Sequence, residues 1–133
     1  MLDEPGSYRY NSFDMKSLVW LGTSYDAVRD FSEPVRKDVG YALYAAQLGG
    51  TDPSAKVLRG FGGRGVLEIV ADDSGGTYRA VYTVKFEEAV YVLHAFQKKS
   101  TKGIATSKAD IALIKSRLKL AEELHRQAKR EKE

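Results

Sequence analysis

The segment from residue 66 to residue 98 constrains the fold most, because it contains three strand patterns separated by very short turns. The first strand pattern is Val66–Val70, and the run DDSGG at 72–76 supplies turn residues that tolerate positive φ. The second alternates between two faces, one with Tyr78, Ala80, Tyr82, Val84 and Phe86, the other with Arg79, Val81, Thr83 and Lys85. After Glu87-Glu88, residues 89–96 are apolar on both faces except for His94, as in a central strand. We predict a three-stranded antiparallel meander.

Helical patterns flank this meander on both sides. The apolar run 18–21 predicts a short strand, and residues 24–31 a short helix. Ser32-Glu33-Pro34 opens a second helix, whose apolar positions recur every three or four residues until Gly49-Gly50. Near the C-terminus, Ser107 and Asp110 have the spacing of a capping box at the start of another helix, which carries Ile111, Ile114, Leu118 and Ala121 on one face. The fold class predicted is α+β: a short strand, two helices, the meander and a C-terminal helix.

Length and charge describe the organisation of the chain. Its 133 residues fit one domain; we assign 1–15 to a flexible arm, 16–124 to the domain and 125–133 to a charged tail continuing the last helix. Residues 1–97 carry 10 Lys/Arg against 13 Asp/Glu, whereas residues 98–133 carry 11 against 5. This concentration of positive charge suits a polyanion or an acidic partner, and it equally suits a solvated lysine-rich helix.

The sequence lacks the residues that several classes of enzyme need. The absence of cysteine excludes disulfides, thiolate zinc sites and cysteine nucleophiles. His94 and His125 have no neighbours at metal-ligand spacing, and no G-x-S-x-G elbow is present. The run GFGGRG at 60–65 matches G-x-G-x-x-G, but it precedes a strand instead of opening a helix, so it does not predict a dinucleotide site. With a polar N-terminus and no apolar run of about 20 residues, we expect a soluble cytoplasmic protein and no membrane contact.

The remaining candidates form a cationic set: Arg59, Arg64, Arg79, Lys85, Lys98, Lys99 and Lys102, with His94 nearby. Arg79 and Lys85 are predicted on one face of a strand, and the two lysines at 98–99 leave the end of the next. Interleaved with Tyr78, Tyr82 and Phe96, such a patch suits an RNA backbone with bases stacked on the rings. The alternative is that the tyrosines belong to the core and the lysines are solvated.

Two stretches resemble the RelE/HigB superfamily of type II toxin–antitoxin toxins, most closely its phage-derived, HigB-like branch. The first begins with GGRGVLEI and continues, after the predicted turn, with YRAVYTVKFEEAVYVLHAFQKKSTKGIATSKADIALIKSRL. The second precedes it in the chain and is SYDAVRDFSEPVRKDVGYALYAAQLGG. The blocks YRAVY and LHAFQKKS are the most specific part of the resemblance. The resemblance spans residues 17–121. It implies a RelE-like fold and a toxin that cleaves mRNA on the translating ribosome without metal or cofactor. The implied partners are the ribosome, mRNA and a cognate helix-turn-helix antitoxin.

The resemblance also implies roles for particular residues. The central-strand arginine of the superfamily falls on Arg79, expected at the scissile phosphate, and its basic pair falls on Lys98 and Lys99, expected to stabilise charge or protonate the leaving group. His94 is a candidate for acid–base work, because histidine titrates near neutral pH; a lone histidine on an apolar strand also suits a satisfied core position. Arg59, Arg64, Lys85 and Lys102 are assigned to RNA binding.

One position departs from the superfamily. RelE toxins place a lysine near the position where this chain has Glu68. Glu68 is either a general base itself or the partner of Arg79 in a structural ion pair. Two alternatives to the nuclease therefore stay open: a catalytically inactive RNA- or ribosome-binding module of phage origin, and a protein-interaction domain whose sheet docks a helix.

Overall fold

The computed structural model describes residues 15–63, 65–98 and 106–132. Those residues form eight elements in the order β1 (Ser17–Trp20), α1 (Ser24–Arg29), α2 (Glu33–Gln47), β2 (Lys56–Val57), β3 (Val66–Asp73), β4 (Gly76–Thr83), β5 (Ala89–Lys98) and α3 (Lys108–Lys132). The α+β class is confirmed, and the arrangement is consistent with a RelE-like fold. The first 14 residues of the predicted arm at 1–15, residue Arg64, the segment 99–105 and Glu133 at the end of the predicted tail lie outside the described residues.

The strands form one five-stranded sheet in the order β1-β5-β4-β3-β2. The meander β3-β4-β5 is antiparallel, as predicted. Two pairings are additions to the prediction: β1 lies parallel to β5, and the two-residue β2 pairs with β3. Parallel partners need a long connection and leave no local turn signal between them, so the sequence pattern does not reveal this pairing.

A helix covers each face of the sheet. On one face α2 packs Val35, Val39 and Leu43 against Ile69 and other strand side chains. On the other face Ile114 and Ala121 of α3 pack against Val81, Tyr91 and Leu93. Both helices carry the predicted amphipathic stripe, and burial of that stripe is the main source of their stability in the folded protein.

β4 is shorter than its alternating pattern predicts. The strand ends at Thr83, whose hydroxyl donates to the Gly65 carbonyl oxygen (2.7 Å) and accepts from the backbone N–H of Lys85 (3.2 Å). This turn ends the alternation, so Phe86 is not on the face of Tyr78 and Tyr82. Its ring instead packs against Tyr91 on the α3 side, with 5.3 Å between ring centroids.

A β-bulge in β5 changes the faces of the residues that follow it. Val81 pairs with His94 and Tyr82 pairs with Val92, which leaves Leu93 as the extra residue. Leu93 packs in the α3-side core, and His94 contacts α3 as well. Strict alternation would put His94 on the α2 side, so the bulge is what turns it toward α3.

Arg117 of α3 stabilises this bulge. Its Nη1 donates to the Leu93 carbonyl oxygen over 2.9 Å. The guanidinium lies over Gly22, where an added Cβ would overlap it and where φ is +56°. Only glycine adopts this positive φ without strain and also leaves room for the guanidinium. Gly22 in the loop after β1 therefore allows Arg117 to reach the bulge.

α3 continues through residues 125–132. His125 is nevertheless buried: its Nε2 lies 2.8 Å from Glu88 Oε1, and its ring is 4.4 Å from that of Phe86. The far half of α3 is therefore fastened to the turn before β5. None of the helices in the described ranges is long and apolar enough to cross a membrane.

Candidate nucleic-acid site

Three of the predicted site residues meet on the α3 side of the sheet. Arg79 is directly opposite Phe96 in the ladder between β4 and β5. The His94 ring stacks on Phe96 at 4.7 Å, and Lys98 Nζ lies 5.4 Å from the centre of the same ring. Arg79, His94 and Lys98 therefore surround one aromatic ring, near the first turn of α3. We call Glu68, Arg79, His94, Phe96, Lys98 and Asp110 the β5–α3 site.

Arg79 forms a buried ion pair with Glu68. Arg79 Nη1 lies 3.1 Å from Glu68 Oε2, and their side chains are 8% and 10% exposed. Thr106 Oγ1 donates to the same carboxylate oxygen over 2.9 Å. The structure therefore contains the ion pair that the sequence offered as one reading of Glu68, and the guanidinium is not displayed on the surface.

Asp110 joins the other two predicted residues. Its Oδ1 lies 2.9 Å from His94 Nε2, and its Oδ2 lies 3.2 Å from Lys98 Nζ. A carboxylate only accepts hydrogen bonds, so Nε2 of His94 carries the proton that faces it. His94 Nδ1 is buried and has no hydrogen-bond partner among the residues that the structure describes. One side chain of α3 thus holds both the histidine and the lysine.

The start of α3 explains why Asp110 is there. Ser107 Oγ donates to Asp110 Oδ2 (2.7 Å) and accepts from the Asp110 backbone N–H (3.1 Å), which is a reciprocal capping arrangement. Burial opposes ionisation of Asp110 and is the largest single effect on it. The hydrogen bonds from Ser107, His94 and Lys98 together outweigh burial and lower the pKa of Asp110 below its ordinary value of 3.8.

The charges of the β5–α3 site nearly cancel. Arg79 and Lys98 face the carboxylates of Glu68 and Asp110, and His94 adds a charge only when it is protonated. Solvent reaches mainly Lys98, whose side chain is 33% exposed, whereas that of His94 is 10% exposed. The predicted cationic patch is therefore a compensated cluster in which Lys98 is the accessible cation.

The other predicted RNA-binding residues are elsewhere or undescribed. Arg59 is exposed in the loop before β3 and follows Leu58, whose backbone N–H donates to Val66, the residue that pairs with Thr83 at the end of β4. Lys85 is past the end of β4 and pairs with Glu122 of α3. It therefore does not share a strand face with Arg79, because the ladder ends at Thr83. Arg64, Lys99 and Lys102 fall outside the described ranges.

The predicted stacking tyrosines belong to the core. Tyr82 is fully buried, and Tyr78 is 6% exposed with its ring against Phe31 of the α2-side core. Their face of β4 is opposite to that of Arg79, so neither ring is available to an RNA base at the β5–α3 site. Phe96 is the one predicted stacking residue that lies there.

Sequence reasoning missed Asp110 as part of the site and Arg117 as the support of the bulge that positions His94. Asp110 was visible only as a helix cap, and a cap position carries no signal for a long-range contact with β5. Arg117 is one of many basic residues on α3, and nothing local marks it as the support of a bulge. In the described part of the chain, no group of three or more His, Asp or Glu side chains is placed to hold a metal ion.

Comparison with known proteins supplies a family. A family model described as phage derived protein Gp49-like (DUF891) matches residues 26–119, which include most of the fold and the whole of the β5–α3 site. A comparison with curated proteins finds no match. The chain therefore belongs to the phage-derived Gp49-like family, a family of RelE/HigB-like toxins.

Proposed function

We propose that this protein is the toxin of a type II toxin–antitoxin pair and that it cleaves mRNA on the translating ribosome without a metal ion. The observation that supports this most directly is the convergence of Arg79, His94 and Lys98 around Phe96. A guanidinium, an imidazole, an ammonium and an aromatic ring can supply the charge stabilisation, proton transfer and base stacking that RNA cleavage without metal uses.

In the proposed reaction a ribose 2′-oxygen attacks the adjacent phosphorus, and the bond to the 5′-oxygen of the next nucleotide breaks. Arg79 stabilises the negative charge that accumulates on the phosphate oxygens, and Lys98 stabilises or protonates the departing oxygen. His94 or Glu68 takes the proton of the 2′-hydroxyl. Phe96 offers a ring on which a neighbouring base stacks.

Family membership supports an antitoxin partner. We propose the helix-turn-helix antitoxin of the same toxin–antitoxin pair, and the cytoplasm, where ribosomes translate, as the site of action. Lys99 and Lys102 remain candidate catalytic and RNA-binding residues, and Arg59, Arg64 and Lys85 remain candidate contacts for more distant phosphates.

The test is cleavage in a translating extract, read as new mRNA 5′ ends. Lys98→Ala is the first variant, because Lys98 is the accessible cation and its loss leaves Asp110 bonded to His94 and Ser107. Lys119→Ala removes the same charge from an exposed position on α3 and is the matched control. We expect the wild type and Lys119→Ala to cut and Lys98→Ala to cut at least tenfold more slowly. No ribosome-dependent cleavage by the folded wild type would contradict the proposal.

A binding module without catalysis is the second candidate. The observation that favours it is the buried Glu68–Arg79 pair, because a carboxylate already occupies the arginine proposed for the phosphate. This candidate predicts a protein that sediments with ribosomes and leaves mRNA intact. Sedimentation and 5′-end mapping from the same extract separate the two functions.

A further inference from the structure

Asp110 is an anion bound at the place where the proposed function requires an anion. Its two carboxylate oxygens accept from His94 Nε2 and Lys98 Nζ, the groups assigned to the attacking 2′-hydroxyl and to the departing 5′-oxygen on either side of the phosphorus. A phosphodiester presents two charged oxygens in a similar way and prefers the same donors. The first turn of α3 therefore holds an internal competitor of the substrate.

We propose that the first turn of α3 is a latch, in which the Asp110 carboxylate occupies the phosphate position and RNA binds by displacing it. This inference rests on the proposed function, which identifies the displacing anion as an RNA phosphate. It adds to that function a regulation of the same site. The latch is local, because the buried anchors of α3, Ile114, Ala121 and His125, lie further along the helix.

The contacts of Asp110 suit a latch that opens. Its side chain is 18% exposed and that of Lys98 is 33% exposed, so solvent and substrate reach the outer side of the pair. Ser107 accepts from the Asp110 backbone N–H through its own hydroxyl, a bond that does not need the carboxylate. The cap of the helix therefore persists when the carboxylate leaves His94 and Lys98.

RNA can bind only to molecules in which the Asp110 carboxylate has left His94 and Lys98. The apparent dissociation constant for RNA is therefore the constant of an open site divided by the fraction of such molecules. If the released state is about one-tenth populated, the apparent dissociation constant for RNA is about tenfold higher than that of an open site. Replacing the carboxylate by an amide removes the negative charge and preserves the size of the side chain. The Asp110→Asn variant is then expected to bind RNA about tenfold more tightly than the wild type.

The experiment measures binding of a single-stranded RNA whose 2′-hydroxyls are methylated, so that cleavage does not interfere. Glu88→Gln is the matched control: it makes the same charge change and removes a carboxylate that lies 2.8 Å from a histidine at the other end of α3. We expect Glu88→Gln to bind within about twofold of the wild type. Asp110→Ala serves as a second variant, and circular dichroism verifies that each variant is folded.

RNA binding by Asp110→Asn and Asp110→Ala that is no tighter than that of Glu88→Gln overturns the latch. If these two variants in addition cleave RNA more slowly than the wild type, Asp110 is a positioning residue for His94.

A second measurement separates this inference from the proposed function. Inorganic phosphate is titrated while the imidazole signals of His94 are followed by NMR, with Glu88→Gln as control. We expect phosphate to move those signals in Asp110→Asn at concentrations that leave the wild type unchanged. If phosphate moves the signals as expected but the wild type cuts no RNA, the nuclease is refuted and the latch stands. If phosphate moves the signals of Asp110→Asn and of the wild type at the same concentrations, the latch is refuted.

Discussion

The buried pair of Glu68 and Arg79 gives the sharpest prediction on stability. Their charged atoms are 3.1 Å apart and their side chains are at most 10% exposed. Removing one partner of a buried pair leaves a desolvated charge, which costs about 3–5 kcal/mol. Glu68→Leu and Arg79→Met are each expected to lower the free energy of unfolding by that amount. For a domain of this size the loss corresponds to a decrease in Tm of roughly 11–18 °C.

The double variant behaves differently. With both charges gone, the two apolar side chains fill a similar volume and neither charge needs solvation. We expect the free energy of unfolding of Glu68→Leu/Arg79→Met to be within about 1 kcal/mol of that of the wild type, because replacement of a buried ion pair by apolar residues of similar volume is often neutral. The coupling energy of the cycle is then at least about 5 kcal/mol.

Urea unfolding of the four proteins, followed by tryptophan fluorescence and circular dichroism, measures this cycle. Single variants that cost less than about 1 kcal/mol would show that the two charges are solvated and that the burial argument is wrong. Additive losses in the double variant would show that the pair is not coupled. The same series improves the test of function, because the double variant is folded and lacks Arg79, so its loss of cleavage cannot be assigned to unfolding.

Three further predictions concern single positions. The pKa of Asp110 is lowered in the fold, so its contribution to stability is present above pH 3.8 and is lost as the pH falls below it; acid titration should therefore narrow the stability difference between the wild type and Asp110→Asn. Gly22→Ala should lower the free energy of unfolding by about 2 kcal/mol and shift the His94 NMR signals, because the added Cβ displaces Arg117. Gly49 also has a positive φ but has open space around it, so Gly49→Ala should lower the free energy of unfolding and leave the His94 signals in place. Burial raises the pKa of Tyr82 to about 12, and its hydroxyl has no partner within the described ranges, so Tyr82→Phe should raise the free energy of unfolding by about 1 kcal/mol; an unchanged or lower value in urea unfolding would contradict this.

Local patterns in the sequence determined most of the elements. The apolar run in β3, the alternation in β4, the turn at 72–76 and the apolar stripes of α2 and α3 each depend on neighbours a few residues apart. The meander and the α+β class follow from them. The same patterns indicated that Arg79 and Lys98 belong to neighbouring strands, which the ladder of β4 and β5 confirms.

Contacts between distant residues decided the chemistry of the site. The β5 bulge turns His94 toward α3, and Asp110 then reaches both His94 and Lys98 from another element. Periodicity assigns one face to each residue and contains no information on where a ladder slips. Capping chemistry likewise depends on Ser107 and Asp110 alone and is independent of what the carboxylate meets across the sheet. The sequence by itself determined which strands and helices form and which cations are candidates; the tertiary structure decided which of them meet, because carboxylates from β3 and α3 compensate them only after the sheet and α3 have packed.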